Sequence, residues 1–192
     1  MTPRFSVLLE MLLKKSPSDL DGHFLRGPLH LARGESGEAI QDFQKVLKLE
    51  PGLALVRHQL ALSQLQAGHL QQARADLKEA AALDATLVES ALLLAELDIQ
   101  VGALKPAIER LEALVARQPR AVPAWALLGS AHLARGDGAR GVEAYRKIVA
   151  LAPKDPRGPH LVGCCRTCQS AGIRTACRSL ESTSTSASPT SS

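Results

Sequence analysis

Apolar and polar positions follow helical spacing through most of the chain. Apolar residues recur at that spacing over four consecutive segments, which we predict to be helices: 56–67, 70–83, 88–101 and 106–117. The short stretches between them carry glycine or proline, residues that end helices and form turns. The pattern therefore predicts an all-α protein made of short, closely connected helices.

Glycines mark the same point of a repeating unit. They recur at a constant interval, at Gly34, Gly68, Gly102 and Gly136. A proline column has the same period, at Pro17, Pro51, Pro119 and Pro153, with Ala85 as its interruption. The interval, about 34 residues, is the length of one helix–turn–helix unit in a stacked array. Because such arrays present an extended surface, the repeat indicates binding rather than catalysis.

Three further columns keep this period. Two of them hold small residues, which allow paired helices to approach closely: Gly27, Ala61, Ala95 and Gly129 in one, and Ala39, Ala73, Ala107 and Gly141 in the other. The third holds large apolar residues: Phe43, Leu77, Leu111 and Tyr145. We expect Ala73 and Ala107 to be buried where two helices cross.

The order of small residue, turn glycine, alanine, large apolar residue and proline resembles the tetratricopeptide repeat (TPR). The resemblance covers residues 20–155 as four full repeats, after a partial repeat over residues 1–19. The last repeat is the best match, through Trp125, Leu128, Gly129, Gly136, Tyr145 and Pro153. His30 and His132 replace a usual tyrosine, and Val46, Leu114 and Ile148 replace a usual alanine, which changes packing detail only. The resemblance implies an all-α, right-handed superhelical solenoid of antiparallel helix pairs.

Pro28 is the one proline inside a predicted helix interior. A straight helix through it would cost about 3 kcal/mol. We therefore expect the first helix of repeat one to be kinked or shortened, and repeat one to be the weakest of the four.

Charge and composition exclude two classes of function. Residues 1–153 carry 18 Lys and Arg against 17 Asp and Glu, so most of the net charge of +4 comes from the C-terminal tail. Such repeats lack the basic stripe that nucleic-acid binding requires. The chain also lacks an apolar run of about 18 residues, so we predict no membrane span.

The repeat pattern fails after Asp155. Ser170 stands where the next turn glycine is expected, and the four cysteines of the protein crowd into this region. We interpret residues 156–192 as a degenerate or frameshifted repeat with a disordered Ser/Thr-rich tail, the alternative being a natural divergent tail. Unless residues 156–168 fold over them, we expect Val142, Ile148 and Leu151 of the preceding helix to be partly uncovered, and to cause self-association through the C-terminal end.

The sequence contains no motif that proposes a reaction. Cys165 and Cys168 form a single Cys-x-x-Cys pair without a second one, so we predict no metal site. Residues 136–141 read GxGxxG, but a predicted helix precedes them where a dinucleotide site needs a strand. A phosphate-binding loop and a GxSxG nucleophile elbow are missing too. We therefore predict a non-catalytic protein without a cofactor.

The TPR resemblance implies a ligand groove lined by the first helix of each repeat. The family's groove positions correspond here to Leu55, His58, Leu62, Leu65, Gln66, Glu89, Leu92, Glu96, Gln100 and Ser130. We expect a protein or peptide ligand at these residues, the alternative being that several of them only pack the solenoid. Chaperone-binding members clamp a terminal carboxylate with Lys and Asn at such positions. Those residues are missing here, which disfavours that ligand.

Within the family, the texture of the repeats resembles the bacterial PEP-CTERM system TPR-repeat lipoproteins. It rests on Leu-Ala-Arg-Gly-Glu at 31–35 and Leu-Ala-Arg-Gly-Asp at 133–137. This resemblance implies a scaffold in an exosortase and exopolysaccharide system, in the periplasm or envelope, with this chain as a piece of a longer protein. The chain alone indicates the cytoplasm, because we interpret residues 1–15 as a helix rather than a signal peptide. A cytoplasmic adaptor or co-chaperone, and the repeat arm of an enzyme such as a glycosyltransferase, remain as alternatives.

Overall fold

The computed structural model describes residues 3–16 and 19–152, and this part of the chain is all-α. It contains nine helices and no strand. Their bounds are α1 (Pro3–Lys15), α2 (Leu20–Ala32), α3 (Ser36–Leu49), α4 (Ala54–Gln66), α5 (Leu70–Leu83), α6 (Val88–Gln100), α7 (Leu104–Arg117), α8 (Val122–Arg135) and α9 (Gly138–Leu151). The prediction of an all-α fold is confirmed, and the four predicted helices correspond to α4, α5, α6 and α7.

The four periodic glycines form the turn within each repeat. Gly34, Gly68, Gly102 and Gly136 have φ between +78° and +88°, a left-handed conformation that strains any residue with a Cβ. In each turn, the N–H of the residue after the glycine donates to the carbonyl five positions earlier, as from Glu35 to His30 at 2.9 Å and from Asp137 to His132 at 2.9 Å. This pattern is the Schellman motif, which ends a helix and satisfies its last carbonyls.

The chain divides after Leu97, inside α6, into two compact units. In the first unit, α1 packs on α2, α2 on α3, α3 on α4 and α4 on α5. One core cluster joins Ala39, Phe43, Val46, Val56 and Leu60, and a second joins Ala61, Ala73, Leu77, Leu94 and Leu97. Ala73 has no exposed surface, as its place in a small-residue column predicts.

In the second unit, α7 packs on α8 and α8 on α9. Ala107 is fully buried, as predicted. Val142 and Ile148 are 7% and 2% exposed and pack with Trp125, so these two side chains are not left uncovered. Residues 156–168, whose folding over this helix was the predicted alternative, lie outside the described residues. Leu151 is 40% exposed. The predicted degenerate repeat, the cysteines and the Ser/Thr-rich tail lie outside the described residues.

Pro28 does not shorten α2. The helix has 13 residues with Pro28 inside it, the same length as α4 and α6. Gly27 and Leu29 on either side of Pro28 are buried, whereas Pro28 itself is exposed. Packing of its neighbours against the core therefore holds α2 helical through the proline, so the helix is not shortened. The alternative of a kink at Pro28, and the weakness of repeat one, stay predictions.

The first small-residue column and the large apolar column touch each other. A Cβ added at Gly27 would lie 2.5 Å from the Phe43 ring, and one at Gly129 would lie 2.7 Å from the Tyr145 ring. In repeat two, Ala61 and Leu77 occupy the same two columns and share one core cluster. An aromatic ring in one column is thus accompanied by glycine in the other, and a leucine by alanine.

Candidate functional site

Helices α4 and α6, the first helices of repeats two and three, are bonded to each other within the first unit. The imidazole Nδ1 of His58 and the hydroxyl of Ser90 are hydrogen-bonded at 2.9 Å, and both side chains are buried. Ala61 of α4 also shares a core cluster with Leu94 and Leu97 of α6. These contacts fix α4 beside α6.

Five predicted groove residues share the solvent side of this helix pair. Leu55 and Leu62 are two turns apart on α4, and Glu89, Leu92 and Glu96 occupy one stripe of α6, so each set lies on a single helix face. The repeat period pairs Leu55 with Glu89 and Leu62 with Glu96. We call these five residues the α4–α6 face.

The α4–α6 face combines accessible apolar surface with negative charge. Leu55 is 49% exposed, Leu62 and Leu92 are half-buried, and Glu89 and Glu96 are exposed. Neither glutamate forms an ion pair within the described part of the chain. The face can therefore bury apolar side chains of a ligand while its carboxylates meet positive charge.

The remaining predicted groove residues have different surroundings. His58 is only 9% exposed, and its Nδ1 is hydrogen-bonded to Ser90. Leu65 packs against the second core cluster, whereas Gln66 is exposed. Gln100 and Ser130 belong to the second unit: Gln100 is exposed, and the Ser130 hydroxyl donates to the Leu127 carbonyl at 2.8 Å.

Burial also determines the charge state of His58. Loss of hydration lowers the pKa of His58, and the nearby carboxylate of Glu89 opposes that shift without cancelling it. His58 is therefore neutral at pH 7 and can hold its hydrogen bond with Ser90 inside the core. This histidine joins helices and does not present a charge to a ligand.

A polar contact inside the helix pairs escaped the sequence interpretation. In repeat two the Gln64 amide donates to Asp76 at 2.7 Å, and in repeat three Arg110 donates to Asp98 at 2.6 Å. The two contacts join equivalent positions of successive repeats, because Asp98 stands in the column of Gln64 and Arg110 in the column of Asp76. The repeat period shared by the two polar pairs was the signal in the sequence from which this contact could have been predicted.

Repeat one has a larger cluster of polar side chains between its two helices. Arg26 donates to both carboxylate oxygens of Asp42, at 2.6 and 2.7 Å, and Asp42 is also 2.9 Å from Nδ1 of His23. Burial opposes ionisation of Asp42, but the hydrogen bonds from Arg26 and His23 outweigh it and lower the pKa of its carboxyl. The ionised cluster therefore ties α2 to α3.

Repeat two contains an arginine where repeat four has tryptophan. The indole N–H of Trp125 donates to the Pro119 carbonyl at 2.9 Å, and the guanidinium of Arg57 donates to the Pro51 carbonyl at 3.3 Å. The two bonds occupy equivalent places, two repeats apart. Arg57 also pairs with Asp76 at 3.5 Å and with Glu79, so its charge is neutralised by α5.

Metal sites and membrane spans are both missing from the residues that the structure describes. These residues contain no group of three or more His, Cys, Asp or Glu side chains placed to hold a metal ion. None of their helices is long and apolar enough to span a membrane.

Comparisons with known proteins agree with the helix pairing. The tetratricopeptide repeat model matches residues 92–156. No curated protein matches the chain in sequence. Among solved structures, MamA from Desulfovibrio magneticus RS-1 is 21% identical, with a TM-score of 0.71 over 79% of this chain and 85% of that one.

Two other solved structures are described as TPR proteins. YrrB, described as having an unusual peptide-binding site, is 12% identical with a TM-score of 0.70, over 88% of this chain and 87% of that one. TTC0263 from Thermus thermophilus is 19% identical with a TM-score of 0.60, over 84% of this chain and 88% of that one. The chain therefore has the fold of a tetratricopeptide repeat protein, and its residues 92–156 match the sequence pattern of that family.

Proposed function

We propose that the protein is a non-catalytic scaffold that binds a segment of a partner protein on the α4–α6 face. The observation that carries the proposal is Leu55, which is 49% exposed beside two half-buried leucines and two exposed glutamates. A ligand that covers these leucines removes apolar surface from water, which is the main favourable contribution to most protein association.

The fold supports this function without identifying the ligand. Residues 92–156 match the TPR family, and a solved structure of similar fold, YrrB, is described as a TPR protein with a peptide-binding site. Stacked helical repeats use extended surfaces of this kind for binding. The rigid joint between His58 and Ser90 supports the same view, because it holds the two helices of the face in a preorganised arrangement.

A peptide-display selection on the full chain tests the proposal. The selected peptides are then titrated against Leu62→Asp and Glu96→Lys, which change the face without touching the core clusters. We expect each change to weaken binding by about tenfold or more, because one places a charge in apolar contact and the other reverses a complementary charge.

The matched control residues are on the second helices of repeats two and three. Lys78 and Glu112 are exposed on α5 and α7, so Lys78→Ala and Glu112→Ala should leave binding and far-UV circular dichroism unchanged. Equal loss of binding in the face variants and in these controls would place the site elsewhere.

We further propose that the scaffold serves a bacterial exosortase and exopolysaccharide system, as the Leu-Ala-Arg-Gly-Glu/Asp turns suggest. An adaptor or co-chaperone role, and the arm of a larger enzyme, are the alternatives. The DNA around the reading frame decides among them. A lipoprotein signal and neighbouring polysaccharide genes are expected, whereas a fused catalytic domain would favour the enzyme arm.

A further inference from the structure

The lysines are distributed unevenly between the first and second helices of the repeats. Every lysine within residues 3–152 lies on a second helix or on α1: Lys14, Lys15, Lys45, Lys48, Lys78, Lys105 and Lys147. The first helices α2, α4, α6 and α8 contain none. The exposed charges of α6 are the two carboxylates of the α4–α6 face, so this face favours a basic ligand.

The exposed side of α1 has the complementary chemistry. Met11 and Leu12 are 56% and 45% exposed, and Lys14 and Lys15 are exposed on the next turn. The residues in the same column as Leu12 are buried in the full repeats: Val46, Ala80, Leu114 and Ile148. Helix α1 contains one acidic residue, Glu10, against Arg4, Lys14 and Lys15, so its net charge is +2.

We propose that α1 of one copy docks on the α4–α6 face of a second copy. Met11 and Leu12 would cover the exposed leucines, and Lys14 and Lys15 would meet Glu89 and Glu96. This inference rests on the proposed function of the face and names a ligand for it.

The packing of α1 in its own chain leaves this side open. Leu9 and Leu13 are 6% exposed, and a Cβ added at Gly22 of α2 would lie 2.7 Å from the Leu13 side chain. These residues hold α1 against α2, so the apolar side with Met11 and Leu12 faces solvent. A docked copy still has a free α1, so the contact is head-to-tail and continues into larger assemblies, either rings or open-ended chains.

The contact is small, and its strength should depend on salt. We expect one helix on one face to bury less surface than a standard stable interface, which is typical of weak, transient association. Sedimentation velocity of the full chain from about 5 to 500 μM should therefore show a rising average mass. Raising the salt concentration should reduce it, because exposed charge pairs are screened.

A charge-swap experiment tests the pairing itself. Lys14→Glu/Lys15→Glu and Glu89→Lys/Glu96→Lys should each weaken association by about tenfold or more. An equimolar mixture of the two variants should regain it, because each α1 then meets a face of opposite charge. Lys45→Glu/Lys48→Glu, which reverses two exposed lysines of α3, is the control and should associate like the unmodified chain.

The outcomes separate this inference from the proposed function. A chain that stays monomeric at the highest concentration, charge reversals without effect, or a mixture that does not regain association would each overturn the docking of α1. If display-selected peptides still bind the face in that case, the proposed function stands and only its ligand is different.

Discussion

Gly27→Ala should destabilise repeat one although it improves helix propensity. The added Cβ would lie 2.5 Å from the ring of Phe43, whereas ordinary contacts are about 1 Å longer. Phe43 has no exposed surface, so its ring cannot swing into solvent. Overpacking at this level costs about 3 kcal/mol, and replacing a helical glycine by alanine returns about 1 kcal/mol. We therefore expect a net loss of about 2 kcal/mol in the free energy of unfolding.

A double-mutant cycle isolates the steric contact. Phe43→Leu alone should cost about 1.5 kcal/mol through the cavity it leaves. Gly27→Ala/Phe43→Leu recreates the alanine and leucine of Ala61 and Leu77 in repeat two, so it should cost about 1.5 kcal/mol or less. The expected coupling free energy is then about 2 kcal/mol in favour of the double variant.

Urea unfolding followed by far-UV circular dichroism measures these values, because the single tryptophan, Trp125, lies in the other unit. Gly37→Ala is the matched control: Gly37 lies in α3 with nothing within 4 Å of an added Cβ, so this variant should be stabilised by up to about 1 kcal/mol. If Gly27→Ala were as stable as Gly37→Ala, or if Gly27 and Phe43 proved additive, the steric reasoning would be refuted.

Three further predictions follow from buried residues. Ala107→Leu should overpack a fully buried site and cost about 1–3 kcal/mol in urea unfolding. Asp42→Ala should cost about 3 kcal/mol, since it leaves Arg26 without its buried carboxylate; no change would show that water replaces the pair. Burial lowers the pKa of His58 and His132, so the unfolded chain takes up protons first as the pH falls. The free energy of unfolding should therefore have its full value above about pH 6.5 and decrease as the pH falls below that. His58→Asn should make this decrease smaller.

The repeat architecture could be predicted from the sequence because its signals are local. A turn glycine needs a left-handed backbone, and Gly68 and Gly102 repeat that need at a fixed period. The assignment of Leu62 and Glu96 to one binding face rests on the same repeat register and stays a prediction. Such signals depend on neighbours along the chain rather than on distant contacts.

Contacts between columns could not be predicted, because they depend on how closely two helices approach. The sequence shows Gly27 and Phe43 as members of two columns, but only the structure shows that the ring fills the space a Cβ would need. His58 illustrates the same limit. Its groove position favoured a ligand contact, whereas the adjacent helix supplies Ser90 as its partner and buries it.

The most direct test of the binding face is a methyl NMR titration of the leucine-labelled chain with the best display-selected peptide. The methyl signals of Leu55, Leu62 and Leu92 should shift together and saturate with the peptide. Leu49 and Leu83, at the ends of α3 and α5, are 54% and 50% exposed and serve as controls that should not shift. Shifts confined to Leu49 and Leu83, with the three leucines of the α4–α6 face unchanged, would contradict the account.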